Sequence, residues 1–95
     1  MSVLESKIEQ YLVEKCKQHN ILCYKFISPG HNGVPDRILI TPSGIVLFVE
    51  LKQLNKKPRK LQKHIHQNLK KHNANVLIID SKDKIDNLIS NLKES

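Results

Sequence analysis

The chain of 95 residues contains no Trp, and aromatic residues make up only 4% of it. A surface that stacks unpaired bases on aromatic rings is therefore not expected. No hydrophobic run approaches the roughly 20 residues of a membrane span, so no membrane partner is expected. The N-terminal residues lack the apolar core of a secretory signal. Cysteine occurs only as Cys16 and Cys23, with no CxxC pair, which predicts reduced thiols and an intracellular location, in the cytoplasm or nucleoid of a bacterial or host cell.

Acidic residues are missing from one long stretch, since residues 51–79 contain no Asp or Glu. That stretch carries half of the 16 basic residues of a chain with net charge +7, namely Lys52, Lys56, Lys57, Arg59, Lys60, Lys63, Lys70 and Lys71. A basic field of this kind favours a polyanion, most often nucleic acid, although a solvated helix face has the same composition. No helix groups Arg, Asn and Gln for base reading, so we expect contacts to the DNA backbone.

Two segments rich in Ile, Leu and Val, 33–40 and 45–52, flank the turn sequence Pro42-Ser43-Gly44. A three-residue hairpin loop typically places its last residue in the left-handed region, where glycine costs least. A β-hairpin is therefore predicted. Pairing outward from the turn gives the register Ile40–Val46, Ile38–Phe48 and Asp36–Glu50.

Asp36 and Glu50 are then direct cross-strand neighbours, with Cβ atoms about 4.5–5.5 Å apart, and Lys52 shares their face. Two carboxylates at this distance repel each other and raise each other's pKa. A divalent cation between them resolves the conflict, because Mg²⁺ takes one or two carboxylates together with waters and a substrate phosphate. Lys52 would hold a phosphate or help to deprotonate the attacking water. A register slip of one residue would separate the carboxylates and remove the site.

One motif resembles the PD-(D/E)XK nuclease signature. It consists of Pro35-Asp36, thirteen further residues and then Glu50-Leu51-Lys52. A longer pattern resembles the VRR-NUC family, the virus-type replication-repair nucleases; it comprises 33–37 (GVPDR), 48–52 (FVELK) and Gln62. The resemblance extends over nearly the whole chain. This resemblance implies a single stand-alone nuclease domain over residues 1–95 with a restriction-endonuclease-like αβββαβ core.

The same resemblance implies the chemistry of a DNA endonuclease. It assigns Mg²⁺ or Mn²⁺ to Asp36, Glu50 and the Leu51 backbone carbonyl, with Lys52 assisting the attack on a phosphodiester bond. Small stand-alone members of the family are regarded as homodimers that cut branched DNA such as four-way (Holliday) junctions, which connects the chain to DNA repair.

Further residues receive supporting roles from the resemblance. Gln62 would hydrogen-bond a water or the DNA at the site, and Lys25 would contact phosphate. An acidic residue of the first helix reaches the metal site in the family; Glu5 fits by its face, and Glu9, one turn along, is the alternative. The predicted nucleic-acid contacts are Lys25, Lys56, Lys57, Arg59, Lys60 and Lys63.

Hydrophobic periodicity and turn residues predict the order α-β-β-β-α-β-α, an α/β (α+β) fold with a small mixed sheet flanked by helices. The predicted elements are a helix over 2–19 opened by a Ser2–Glu5 capping box, strands over 21–27, 33–40, 45–52 and 76–79, a helix from Pro58 to about His72, and a last helix capped by residues 80–81. The second helix is expected to bury Leu61, Ile65 and Leu69, with Gln62 and His66 flanking that stripe. The strand over 76–79 is expected to be covered on both faces.

Two other interpretations use the same residues. A non-catalytic, basic nucleic-acid-binding domain would keep the acidic pair for structural reasons. The second alternative is a zinc site at Cys16, His19 and Cys23, although the spacing of these residues matches no standard zinc-ligand pattern. His64 and His66 are candidate general bases by residue type alone.

Overall fold

A four-stranded mixed sheet organises the fold of this computed structural model, which describes residues 3–53 and 56–94. The elements in chain order are α1 (Val3–Gln18), β1 (Leu22–Lys25), β2 (Arg37–Ile40), β3 (Val46–Leu51), α2 (Lys60–Lys71), β4 (Asn75–Ile79) and α3 (Lys82–Glu94). The strand order is β1-β2-β3-β4, with the first two pairings antiparallel and β3–β4 parallel. The predicted element order and fold class are confirmed.

The β2–β3 hairpin has the predicted register, which pairs Arg37–Val49, Ile38–Phe48, Leu39–Leu47 and Ile40–Val46. Gly44 has φ +90°, and its N–H donates to the Thr41 carbonyl over 2.9 Å. A side chain at this φ would be strained, so glycine suits the turn. Extending the ladder by one residue beyond Arg37 brings Asp36 opposite Glu50.

The hydrophobic core lies on one face of the sheet, beneath α1 and α3. Side chains alternate along β3, so Leu47, Val49 and Leu51 all point to that face and are buried. The core consists of Ile8, Leu12, Cys16, Ile21, Leu39, Leu47, Val49, Leu51, Ile79, Ile85 and Ile89. Each fully buried aliphatic side chain contributes about 1.5–3 kcal/mol relative to exposure, so this face supplies most of the stability.

The other face of the sheet carries Glu50, and we call it the open face. In the described part of the chain, α2 packs on it toward β4, and the Phe26 ring contacts Phe48 there. None of its strand hydrophobic side chains is fully buried, and four are exposed: Leu22, Tyr24, Val46 and Ile78. The prediction that β4 is covered on both faces holds only in part, because α2 packs against β4 on this face but leaves Ile78 exposed.

The buried side of α2 also differs from the prediction. Gln62 and His66 are buried, whereas Leu61 is 51% exposed. The helix packs its polar side against the end of β3, where Glu50 offers hydrogen-bond acceptors, and its aliphatic stripe lies toward the loop before β2. The expectation that Leu61 is buried and Gln62 merely flanks it is wrong.

Several boundaries are shorter than expected. The second helix begins at Lys60 and not at Pro58, because Arg59 is its N-cap, with an N–H that donates to Gln62 Oε1 over 2.8 Å. The first strand ends at Lys25, before Ile27, since β2 begins only at Arg37. Ser2 of the predicted capping box lies outside the described residues. No helix in the described ranges is long and apolar enough to cross a membrane.

Candidate active site

Asp36 is fixed at the N-terminal end of β2, directly after the buried Pro35. Its carbonyl accepts a hydrogen bond from the Phe26 N–H over 2.9 Å, which continues the β1–β2 ladder. Its side-chain Oδ2 accepts the Leu51 N–H over 2.8 Å. The carboxylate therefore takes the place of a strand partner at the end of β3, and β2 and β3 jointly position it.

Glu50 is the central residue of the site, buried to 1% exposure on an otherwise apolar strand. Gln62 Nε2 donates to its Oε2 over 3.0 Å, and Lys52 Nζ lies 3.7 Å from the same oxygen. The structure thus brings Asp36, Glu50, Lys52 and Gln62 together, four of the side chains that the sequence motif singles out.

The raised pKa of Glu50 agrees with the repulsion between two carboxylates that the predicted hairpin register implies. Burial and, after it, the nearby Asp36 carboxylate together raise the pKa of Glu50 to about 8, against the lowering effect of Lys52. A carboxyl group with this pKa holds its proton near neutral pH unless positive charge is supplied. The site as built therefore favours a cation.

His66 joins this group, although the motif gives it no role. Its Nε2 lies 3.6 Å from Glu50 Oε1, and neither buried atom has a hydrogen-bond partner among the described residues. Burial, followed by the charges of Lys70 and Lys52, lowers the pKa of His66. The sequence signal was the four-residue spacing from Gln62, which places both side chains on one helix face.

The two acidic candidates on α1 have different surroundings. Glu9 Oε2 accepts a hydrogen bond from Arg37 Nε over 2.9 Å, and both side chains are largely buried. Arg37 points to the core face of the sheet, so Glu9 is engaged on the side away from Glu50. Glu5 lies one turn nearer the N-terminus and has an intermediate exposure. The structure does not place either residue in a cluster with Asp36 and Glu50.

The predicted nucleic-acid contacts divide into two groups. Lys56, Lys57, Arg59, Lys60 and Lys63 are exposed along the approach to α2 and its first turn, next to Gln62. Lys25 is also exposed but pairs with Arg37 in the sheet, so its side chain belongs to the face opposite Glu50. The basic residues before and on α2 are therefore much better placed than Lys25 to contact a polyanion at this site.

The donor set fits a divalent cation that prefers oxygen ligands. The buried Glu50 Oε1 has no hydrogen-bond donor in the part of the chain that the structure describes, and Asp36 supplies a second carboxylate beside it. Within residues 3–53 and 56–94, no three His, Cys, Asp or Glu side chains form a ready-made metal cluster. Mg²⁺ does not need one, because it commonly binds through one or two carboxylates and completes its shell with waters and phosphate oxygens.

The alternative zinc site does not form. Cys16 and Cys23 contact each other, and the hydrogen bond from Cys16 lowers the pKa of Cys23 to about 7 while the pKa of Cys16 is raised. His19 lines a separate cavity beside the Thr41–Ser43 turn. These three residues do not make a metal-binding group in the described structure.

Comparison with known proteins agrees with this geometry. A protein of Acyrthosiphon pisum secondary endosymbiont phage 1 named "Putative nuclease p44" is 38% identical over 81 residues, which cover 85% of this chain and 87% of that protein. A solved structure described as a VRR_NUC domain has a TM-score of 0.87 at 32% identity, covering 94% of this chain and 97% of that one. No family model matches the chain.

The mixed sheet and the polar group at the end of its hairpin thus define a nuclease domain. With a relative of this identity and coverage and a solved structure of the same fold, the chain belongs to the VRR-NUC family. The family resemblance of the sequence motif is confirmed.

Proposed function

We propose that this protein is a Mg²⁺- or Mn²⁺-dependent DNA endonuclease whose metal ligands are Asp36, Glu50 and the Leu51 backbone carbonyl. The observation that supports it most is the buried Glu50 carboxyl beside Asp36, with a pKa of about 8 and an oxygen that no described residue donates to. The Leu51 N–H points at Asp36, and the N–H and C=O of one strand residue point to the same side. The Leu51 carbonyl is therefore directed toward the same carboxylate.

Each residue of the group has a distinct task in phosphodiester hydrolysis. The bound cation would supply the positive charge that lowers the pKa of an attacking water and stabilises the phosphorane-like transition state. Lys52 offers a further point charge to the phosphate. Gln62 holds Glu50 and orients a water or the DNA, and Glu5 is proposed as the helix-borne acid by its position and face on α1.

A nicking assay with Mg²⁺ or with EDTA tests this proposal. The substitutions Asp36→Ala, Glu50→Ala and Lys52→Ala should each reduce cleavage by at least about 10²–10³-fold, the cost typical of losing a preorganised electrostatic group, while DNA binding stays largely intact. Glu14→Ala, at an exposed position of α1, is the control and should cleave normally. Retained cleavage in Asp36→Ala protein would contradict the scheme.

We extend the proposal to a homodimer that selects branched DNA, such as four-way junctions, and acts in DNA repair. Two-fold symmetry would present two sites for paired cuts in a pseudo-symmetric junction. The apolar, uncovered part of the open face supports a second copy as its occupant, because contiguous apolar surface commonly marks a protein interface. Cleavage rates on a junction, a flap and linear duplex at fixed salt test the selectivity, and equal rates would remove it.

The dimer has its own test with a matched control. Leu22→Asp introduces a charge on the open face, and Leu4→Asp introduces the same charge at a similarly exposed Leu on α1 (48% and 57% exposed). Light scattering after size-exclusion chromatography should show a dimer for the wild type and Leu4→Asp and a monomer for Leu22→Asp. A wild-type monomer at micromolar concentration would overturn this part of the proposal.

A non-catalytic basic DNA-binding domain remains the second candidate. The observation in its favour is that Gln62 and a proton could satisfy much of Glu50 without any cation. Such a domain would bind DNA with steep salt dependence and would respond to neither Mg²⁺ nor EDTA. The nicking assay therefore separates the two functions.

A further inference from the structure

His66 is buried to 5% exposure on α2, and its Nε2 faces the free oxygen of Glu50 across 3.6 Å. This separation is too long for a hydrogen bond, and within the described residues both atoms lack another partner. Burying a donor and an acceptor without pairing them costs free energy. The geometry therefore places His66 Nε2 where it can donate to Glu50 once a bound cation has ionised the carboxyl.

The two oxygens of Glu50 are contacted from successive turns of one helix. Gln62 Nε2 is hydrogen-bonded to Oε2, and His66 Nε2 faces Oε1. Rotation of the carboxylate about its last bond would move it away from both residues at once. Because α2 is held by its packing, it can fix the plane of this carboxylate as well as its position.

The imidazole is placed as a donor by its geometry, because Nε2 is the ring nitrogen that faces Glu50 Oε1. A neutral imidazole has one N–H, and an ionised carboxylate facing Nε2 selects the tautomer that carries the proton there.

We propose that His66 is a positioning residue that, together with Gln62, orients the Glu50 carboxylate for the divalent cation. The inference rests on the proposed nuclease function and adds a residue to its site. Groups that orient a metal ligand from behind commonly change metal affinity by about 10–100-fold when they are removed.

The decisive experiment measures Mn²⁺ binding to the full chain without DNA, by the electron paramagnetic resonance signal of free Mn²⁺. His66→Leu should weaken binding about 10–100-fold. His66→Gln, which keeps an N–H donor at a similar reach, should stay within about threefold of wild type. His64→Leu, at an exposed position of the same helix, is the matched control and should bind as wild type does.

Cleavage gives a second readout that a merely structural role would not produce. His66→Leu should need about 10–100-fold more Mg²⁺ for half-maximal rate, with a much smaller loss at saturating Mg²⁺. Undiminished Mn²⁺ affinity in folded His66→Leu protein, or a tenfold loss in folded His66→Gln protein, would overturn the role of His66. Absence of Mn²⁺ binding by the wild type would instead overturn the proposed function itself.

If His66→Leu does not fold, the wild-type protein still decides the question. Side-chain ¹⁵N spectra of Mg²⁺-loaded protein should show His66 with its proton on Nε2 and a shift on Mg²⁺ addition that His64 lacks. A proton on Nδ1 in the Mg²⁺-loaded protein would overturn the proposal, because His66 could then not donate to Glu50.

Discussion

At the scale of single residues, Glu50 combines an acidic side chain with a position that ordinarily takes an aliphatic one. It lies between Val49 and Leu51, which are both buried in the core. Its own side chain points the other way, into the polar group formed with Gln62 and His66. One strand thus contributes to the core and to the site through alternate residues.

The raised pKa of Glu50 predicts a pH-dependent stability. Since the folded state holds the proton up to about pH 8 and the unfolded state only up to about 4.5, the folded state binds more protons between these values. The free energy of unfolding in EDTA should therefore fall as pH rises from about 5 to about 8. Urea unfolding across this range measures the slope.

Two comparisons identify which group makes the free energy of unfolding depend on pH. Glu50→Gln, which cannot ionise, should flatten the slope, while Glu14→Gln at an exposed position should leave it unchanged. Added Mg²⁺ should stabilise the wild type most at the high-pH end, where the carboxylate is free to bind it. An unchanged slope in Glu50→Gln protein would show that another group is responsible.

The two cysteines predict a selective chemical reactivity. The hydrogen bond from Cys16 and the nearby Arg37 lower the pKa of Cys23 to about 7, whereas Cys16 is fully buried and its pKa is raised. Iodoacetamide should therefore alkylate Cys23 with a pH midpoint near 7 and leave Cys16 unmodified in the folded protein. Peptide mass spectrometry measures both sites, and faster modification of Cys16 would contradict the arrangement.

At the scale of elements, the register of the hairpin was predictable from the sequence, whereas the buried side of α2 was not. The turn residues Pro42–Gly44 and the alternation of β2 and β3 determine the register, and hence the meeting of Asp36 with Glu50. The helical period of α2 identifies Leu61, Ile65 and Leu69 as one stripe, but hydrophobicity alone does not say which side packs on the sheet. Buried acceptors on Glu50 turn Gln62 and His66 inward, and this is a tertiary effect that the local pattern does not contain.

The fit of α2 against the loop before β2 predicts a strong effect of one glycine. A Cβ on Gly33 would lie 3.1 Å from Leu61 Cγ and 3.2 Å from the backbone N of Gln62, at φ +90°. Gly33→Ala should therefore push the start of α2 outward, which costs about 1–3 kcal/mol of stability in addition to the backbone cost of a positive φ, and it should weaken cleavage by displacing Gln62. Urea unfolding and the Mg²⁺-dependent nicking rate measure these effects.

Gly30 provides the control for this substitution. It has a similar φ of +82°, but an added Cβ would have nothing within 4 Å. Gly30→Ala should then show only the conformational cost of about 1–2 kcal/mol and retain normal cleavage at saturating Mg²⁺. Equal losses of activity in the two variants would exclude steric displacement of α2 as the cause.

At the scale of the whole molecule, the basic surface is concentrated before and on the first turn of α2. Removal of Lys60 and Lys63 should weaken DNA binding and reduce the salt slope of log K by about 1 for each lysine that contacts a phosphate. Lys7→Ala with Lys17→Ala removes the same charge from α1, on the core side of the sheet. Fluorescence anisotropy over a salt series compares the two double variants, and equal slopes would mean that only net charge matters.

In the described part of the chain, the buried aliphatic side chains lie on the core face of the sheet, beneath α1 and α3, whereas Glu50 and its polar neighbours lie on the open face. A change such as Ile85→Val, in the core, should lower the free energy of unfolding without altering the residues around Glu50. Substitutions in the core can therefore change the free energy of unfolding from one side of the sheet while the candidate active site on the other side keeps its residues. The same division between the two faces indicates where substitutions can raise stability while the candidate active site is kept.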